Sequence, residues 1–505
     1  MQHKKKIDRR TFISSAATAA ATISIVPNHV LGGVGKVAPS DKITVANIGC
    51  GTQGLREMSA LLQHPNVQVV SVCDPNAFTT NYLDWSAHGI RNNIRKTIGD
   101  PNWGANLDGI PGGRDVGQEF VEKYYAKNKP SGKYKGCSSY EDYRELLEKE
   151  KGVDVVKIMT PDHLHASIAI AAMKKGMKVV THKPIGNRMV EGLKAIETAR
   201  TTGMDTHLLA WSPKPDHSLI LKWINDGVIG ELKEVHNWSF RPVWPQFTGN
   251  PVEEMPIPKG FNWDLWLGPV PHRPYHKDYT HNVFRGWYDF GGGSIADMGH
   301  YSLFPLFKTF GIDRAPVSAK AYGTVMRTAI DGVCKEIKNN DTFPYSSMVR
   351  LKFPEQKTLP SFDLYWYDGG MKPFASEELE EDGRDIPSEG MMFVGDKGKI
   401  IASFLGENPE IIPLKKKDAY QGEKEVVKAD EKLSPTDIWV NAFKDGVEAP
   451  GSFLHAKTVT ETINLAAIAL RAGKKVDYDS EKMKITNEES ANQYLSREFR
   501  KGWEL

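Results

Sequence analysis

An α/β fold is expected, with a doubly wound parallel layer first and an α+β portion after it. Three observations predict this. Between Lys42 and Thr181 short β-branched runs alternate with amphipathic stretches, the pattern of βαβ units. The first run stops at a glycine turn, Gly49-Cys50-Gly51-Thr52-Gln53-Gly54, directly before a helical pattern. From about Gly186 the alternation lapses into successive strand-like runs, most of which look antiparallel.

The size and charge of the chain agree with several domains. Its 505 residues correspond to roughly two to four domains of 100–200 residues. Lys and Arg number 65 against 63 Asp and Glu, so no broad basic field exists and nucleic acid is not an expected partner. Cys50, Cys73, Cys137 and Cys334 are too scattered for a disulfide framework or a thiolate metal site, and no metal is expected.

Residues 1–38 read as a signal peptide and linker. Arg9-Arg10-Thr11-Phe12-Ile13 resembles a twin-arginine export signal, followed by an uncharged Ala/Ser/Thr/Ile stretch to Val26. The expected location is the periplasm, reached already folded. Sixteen weakly apolar residues are short of the roughly 20 a spanning helix needs, and no other stretch is a candidate span.

Residues 39–185 read as a Rossmann domain. Lys42 to Ile48 is a strand, and Leu55, Met58, Leu61 and Leu62 mark the helix after the turn. Gly49 permits the tight turn, Gly51 lets a pyrophosphate approach the backbone, and Gly54 allows close helix–strand packing; Thr52 and Gln53 complete the loop. Val67 to Cys73 is the second strand, and it ends at Asp74, 20 residues beyond Gly54. A carboxylate there accepts bonds from an adenosine ribose and repels a 2′-phosphate, so the cofactor expected is NAD. An insertion between Ala77 and Gly113, with Trp85 and Trp103, reads as a lid or an interface. Val153 to Met159 and Lys178 to Thr181 are further strands; their ends carry Thr160-Pro161-Asp162-His163-Leu164-His165 and His182-Lys183-Pro184. Ligands bind beyond such ends, so Thr160, Pro161, His163, His165 and Lys183 join the cofactor set, with Asp162 read as a helix cap.

These motifs resemble the Gfo/Idh/MocA family of glucose-fructose oxidoreductase, inositol dehydrogenase and their relatives. Phe261-Asn262-Trp263-Asp264-Leu265-Trp266-Leu267-Gly268-Pro269 and Arg285-Gly286-Trp287-Tyr288-Asp289-Phe290-Gly291-Gly292-Gly293 are similar to segments of its substrate domain, and Phe499 to Leu505 to the ending of exported members. The resemblance implies that residues 186–505 form an α+β substrate and oligomerisation domain with an open, mainly antiparallel sheet. The Thr458 to Ala472 helix and the C-terminal segment are then expected to pack against the first domain. It implies a homo-oligomer, dimer or tetramer, acting on a small sugar or glycoside.

Two departures from the family pattern stand out. His182 precedes the expected catalytic Lys183 where Glu is usual, and His300 follows Asp297 by three residues instead of four, leaving Tyr301 in the fourth place. Lys183 is assigned proton transfer, with Asp297 and His300 as its partners, because a lysine beside a cationic ring loses its proton more readily. Arg285, Trp287, Tyr288 and Tyr301 are assigned to the substrate.

The expected activity is NAD-dependent interconversion of a secondary alcohol and a ketone on a sugar or glycoside, position three of a glucoside being the preferred guess. The alternative is an NAD-dependent glycosidase working by transient oxidation, elimination and re-reduction. A sugar-binding protein holding NAD only as structure is a third reading, against which Lys183 argues.

Overall fold

The computed structural model describes residues 41–127, 129, 131–422 and 433–505; the leader at 1–38 lies outside them. Its first sheet is six-stranded and parallel throughout: β1 (Ile43–Ile48), β2 (Val67–Cys73), β3 (Ser138–Tyr140), β4 (Val155–Ile158), β5 (Lys178–Thr181) and β6 (Thr206–Leu208), in the order β3-β2-β1-β4-β5-β6. The strands are short and apolar because helices cover both faces. Every residue of β4 is buried, Lys157 included, and that ammonium reaches the Glu57 carboxylate at 2.8 Å. The chain builds outward from β1 in one direction and from β4 in the other, which opens a crevice beyond the carboxyl ends of these two strands.

This layer continues past residue 185, the end expected from the sequence. The Met189–Thr202 helix and β6 still belong to it. The short Thr-His-Leu run of β6 lacks the β-branched length that marks the earlier strands, so it carried no signal of its own.

The 77–113 insertion is folded. The Gly89–Ile98 helix buries Ile90, Ile94 and Ile98 in the core beneath α1 (Thr52–Gln63), and bridges at Thr79–Gly112 and Asn81–Ile110 close its base. Between bridge and helix, Tyr82 to Trp85 are carried to the mouth of the crevice.

Seventeen strands in all are described. The later ones are β7 (Leu232–Trp238), β8 (Ser318–Gly323), β9 (Arg327–Ile330), β10 (Val333–Glu336), β11 (Ser347–Phe353), β12 (Phe362–Tyr367), β13 (Gly390–Gly395), β14 (Lys399–Ala402), β15 (Glu410–Ile412), β16 (Val476–Asp479) and β17 (Lys484–Ile485). Nine of them form an open sheet in the order β15-β14-β13-β7-β12-β11-β8-β16-β17, while β9 and β10 make an exposed hairpin. Pairing is antiparallel except between β7 and β12, which run parallel at its centre. β11 alternates buried and exposed residues along its whole length, as a sheet with one covered face requires.

That covered face packs on the Lys457–Ala472 helix and, through Phe307 on Phe353 and Phe310 on Phe393, on the His300–Phe310 helix; the former also lies against the Met189–Thr202 helix of the first layer. One hydrophobic core therefore runs from Ala46, Ile158 and Val179 through Leu303 and Ile463 to Val349, Leu364 and Phe393. The C-terminal segment returns to the first layer, where Arg144 lies 4.3 Å over the Trp503 ring. No described helix is long and apolar enough to cross a membrane.

Candidate active site

The crevice holds two cavities that share Thr52, Gln53, His182 and Arg285. Gly49, Gly51, Gly54, Asp74, Thr160 and Pro161 line the first, with Thr52 and Gln53. Its glycines are there for separate reasons. Gly49 sits at φ +100°, and a Cβ on it would lie 2.5 Å from the Met159 carbonyl; a Cβ on Gly54 would lie 2.2 Å from the Gly49 oxygen. Gly51, in contrast, would point its Cβ toward the Tyr82 ring at 3.1 Å, across the cavity. The α1 helix starts at this loop without a side-chain cap, so its first-turn N–H groups face an anion-sized gap.

Asp74 lies on the cavity wall, where Oδ2 accepts the Cys50 N–H at 2.7 Å and Oδ1 the Asn76 N–H at 2.9 Å. Burial raises its pKa to about 6, against the pull of those two N–H groups. An uncapped helix start, a glycine open to the cavity and a carboxylate at the second strand end fit NAD. Gly51, Thr52 and Gln53 would take its phosphates and Asp74 its ribose hydroxyls.

The second cavity measures about 610 Å³, and Lys183, Asp297, Met298, Tyr301, Arg241 and Trp244 line it. Lys183 is 3% exposed, and its ammonium pairs with Asp297. Arg285 Nε reaches the same carboxylate oxygen at 3.1 Å. Burial lowers the pKa of Lys183, and Asp297 only partly restores it. Burial likewise opposes ionisation of Asp297, but Lys183 and Arg285 outweigh it and hold the carboxyl down at about 2. Tyr301 Oη is hydrogen-bonded to His182 Nε2 at 3.1 Å, and the ring of His182 also faces Glu57 at 3.6 Å. Burial, then Lys183, keeps that imidazole uncharged.

Among known proteins, the description "Oxidoreductase family, C-terminal alpha/beta domain" matches residues 217–340 and 381–505, and "Oxidoreductase family, NAD-binding Rossmann fold" matches 118–208. Together they take in about two thirds of the chain. The chain belongs to the Gfo/Idh/MocA oxidoreductase family. Levoglucosan dehydrogenase of Pseudarthrobacter phenanthrenivorans is 33% identical over 115 residues, which cover 21% of this chain and 29% of that one. A glycosyl hydrolase family 109 protein of Stenotrophomonas maltophilia is 27% identical over 225 residues, covering 44% and 40%. The matched segments thus span well under half the length of these relatives. The WlbA dehydrogenase of Bordetella pertussis, solved with NADH and UDP-GlcNAcA, has the same fold, with a TM-score of 0.51 at 14% identity over 87% of this chain and 99% of that one.

Within this Gfo/Idh/MocA chain, five residues expected at the site stand elsewhere. His163 and His165 line neither cavity. His163 sets Nε2 2.8 Å from the Trp266 carbonyl and Nδ1 3.3 Å from that of Phe290, and His165 sets Nδ1 2.6 Å from the Pro184 carbonyl and Nε2 2.8 Å from that of Thr160; a neutral ring donates its single N–H to one carbonyl of each pair. They bind loops to one another, and burial drives the pKa of His163 to about 3. Asp162 caps nothing; its Oδ2 accepts the Gly292 N–H at 3.1 Å, which ties the triple-glycine turn to the first layer. His300 is fully buried, and its Nδ1 donates to the Ala296 carbonyl at 2.9 Å. The physical reason is a π-helical turn at Ile295–Gly299, which rotates Asp297 and Tyr301 toward the cavity and His300 into the core. Burial brings the pKa of His300 down to about 3, and its Nε2 is buried with no hydrogen-bond partner among the described residues. Trp287 donates its indole N–H to Asp278 O at 2.8 Å inside an aromatic core with Trp266 and Phe290, and Tyr288 is buried against Phe343. Neither lines a cavity, whereas Arg285 of the same segment lines both.

Arg241, Val243, Trp244 and Leu83 to Trp85 also line the second cavity, and Tyr82 the first; of these only the Trp85-bearing insertion was read from the sequence as a lid or an interface. A signal existed in Arg241-Pro242-Val243-Trp244-Pro245: two prolines just past a strand end mark a loop whose remaining side chains are large.

Proposed function

We propose that this chain interconverts a secondary alcohol and a ketone on a sugar or glycoside, position three of a glucoside being the preferred carbon. The observation carrying this reading is the shared wall between the cavities: the cofactor loop residues Thr52 and Gln53 also line the space into which Lys183 opens. The 33% identity to a segment of levoglucosan dehydrogenase supports a sugar as the substrate class.

When bound, NAD supplies the hydride acceptor and, once reduced, the donor. The chain's own groups do the rest. Lys183, its pKa lowered by burial, takes the hydroxyl proton as a neutral amine and returns it to the carbonyl oxygen as an ammonium. Asp297 holds the ammonium in place between these events. Arg285, anchored on the same carboxylate, is placed to donate to a neighbouring sugar hydroxyl, and Trp244 offers an apolar wall for a ring face. Lys183→Ala is expected to slow NAD reduction by about 10²–10⁴-fold with cofactor binding retained; full turnover in that variant would refute the mechanism.

A second reading, an NAD-dependent glycosidase, draws on the resemblance to glycosyl hydrolase family 109 proteins and on the Tyr301–His182 pair at the cavity wall. Oxidation beside the anomeric region acidifies a neighbouring C–H, the aglycone leaves by elimination, water adds, and the hydride returns. Aglycone release without accumulated NADH would favour it; stoichiometric NADH with an intact glycosidic bond would exclude it. The twin-arginine-like leader makes the periplasm the proposed location, which cell fractionation tests. A dimer or tetramer is proposed, to be checked by light scattering.

A further inference from the structure

We infer that the sugar taken by this site carries a carboxylate, seated against Arg241. The inference rests on the reading of the crevice as a sugar-oxidising site and adds the substrate's charge. Arg241 follows β7 and lines the same cavity as Lys183. Its Nε and Nη1 are buried and meet no hydrogen-bond partner among the described residues. The guanidinium lies 4.8 Å over the Trp85 ring and 5.3 Å over the Phe240 ring, and these faces position its plane without using its N–H groups.

The other charges on the wall are already committed. Arg56 pairs with Asp84, while Lys183 and Arg285 share Asp297. Arg241 adds a fourth cation to a wall with only two carboxylates, one of which, Asp297, already serves three cations, so the lining residues carry an excess of two positive charges. Buried cations are normally paired, and a guanidinium with unused N–H groups is matched best by a planar anion that accepts two of them. A neutral hexose offers hydroxyls for those N–H groups but leaves the charge uncompensated. A uronic acid residue supplies a planar carboxylate at the ring edge, within the cavity that Lys183 also lines. Sulfate and phosphate esters share the negative charge without the planar shape.

Equilibrium binding to the NAD-loaded protein tests the assignment, read from tryptophan fluorescence because Trp85 and Trp244 line the cavity. The probes are methyl glucuronide, its methyl ester, methyl glucoside, glucose 6-sulfate and glucose 6-phosphate. The free acid is expected to bind at least tenfold more tightly than the ester and the glucoside, with an affinity that falls as salt rises. Arg241→Gln should abolish that preference and Arg241→Lys should restore part of it, with thermal midpoint and NAD stoichiometry as controls on folding. Equal affinity for acid and ester, tighter binding of the sulfate or phosphate ester, or a preference that survives Arg241→Gln would overturn the inference. NAD reduction followed in the same samples separates the two readings. A glucuronide that binds through Arg241 without reducing NAD leaves the carboxylate assignment standing and removes the oxidoreductase reaction. Reduction by neutral glycosides with no preference for the acid does the opposite.

Discussion

Lys183 and Asp297 form a buried pair in which each partner alters the other's proton affinity, and that coupling has a sign. Burial favours the neutral amine, and Asp297 favours the ammonium. Oxidation requires the amine, so its rate should rise with pH to a plateau that begins below the ordinary lysine range. Asp297→Asn removes the group that favours the cation, so the rising limb is expected to move to lower pH while the maximal rate falls. A kcat/KM profile across pH in both proteins checks this; a limb that moves upward, or stays put, contradicts it. Lys183 was legible in the sequence because a strand end and a short motif coincide there. The displacement of His300 was not, since its spacing from Asp297 suits one helical face and only the π-helical turn turns it inward. His163 and His165 mislead in a general way: a ring with two polar nitrogens serves backbone carbonyls as readily as it serves a ligand.

The glycine loop and the inserted segment are the elements that shape the cofactor cavity. Gly51 and Gly54 make different predictions for the same small substitution. Gly51→Ala places a methyl in the cavity and should weaken NAD binding at least tenfold while the fold is kept. Gly54→Ala drives a Cβ against the Gly49 oxygen, so it should lower the thermal midpoint as well. Titration with NAD and thermal unfolding, measured on both, separate the two outcomes; equal unfolding with no change in affinity would argue against the loop's role. The loop was readable from spacing because Gly49 needs a positive φ and Gly54 a close approach that a Cβ would block. The 77–113 insertion was readable as a lid or an interface, but which of its residues reach the cavities was not, because its folding back depends on the apolar face of the Gly89–Ile98 helix finding α1. Five strands of the second sheet, β7 and β11 to β14, lie within two residues of strand-like runs at 234–240, 348–353, 361–366, 391–394 and 399–402, whereas β8, β15, β16 and β17 were not legible. Nor was the order of the strands, and the parallel β7–β12 pair joins segments more than a hundred residues apart.

Across the whole molecule, the two layers behave as one body because a core and a set of buried ions pass between them. Arg497, close to the C-terminus, pairs with Glu191 of the first layer and donates to the Asp289 carbonyl at 3.0 Å. With Glu191 1% exposed, Arg497→Ala strands a buried carboxylate and should cost about 3–5 kcal/mol, seen as a lower midpoint in denaturant unfolding. A change within about 0.5 kcal/mol would mean the pair is solvated in practice. The most direct measurement is a rapid-mixing single turnover of the NAD-loaded protein with a glycoside, following the near-ultraviolet absorbance of reduced nicotinamide. The account predicts one equivalent of reduced cofactor in the wild type and at least a hundredfold slower formation in Lys183→Ala at equal NAD occupancy. Equal rates in the two proteins would contradict it.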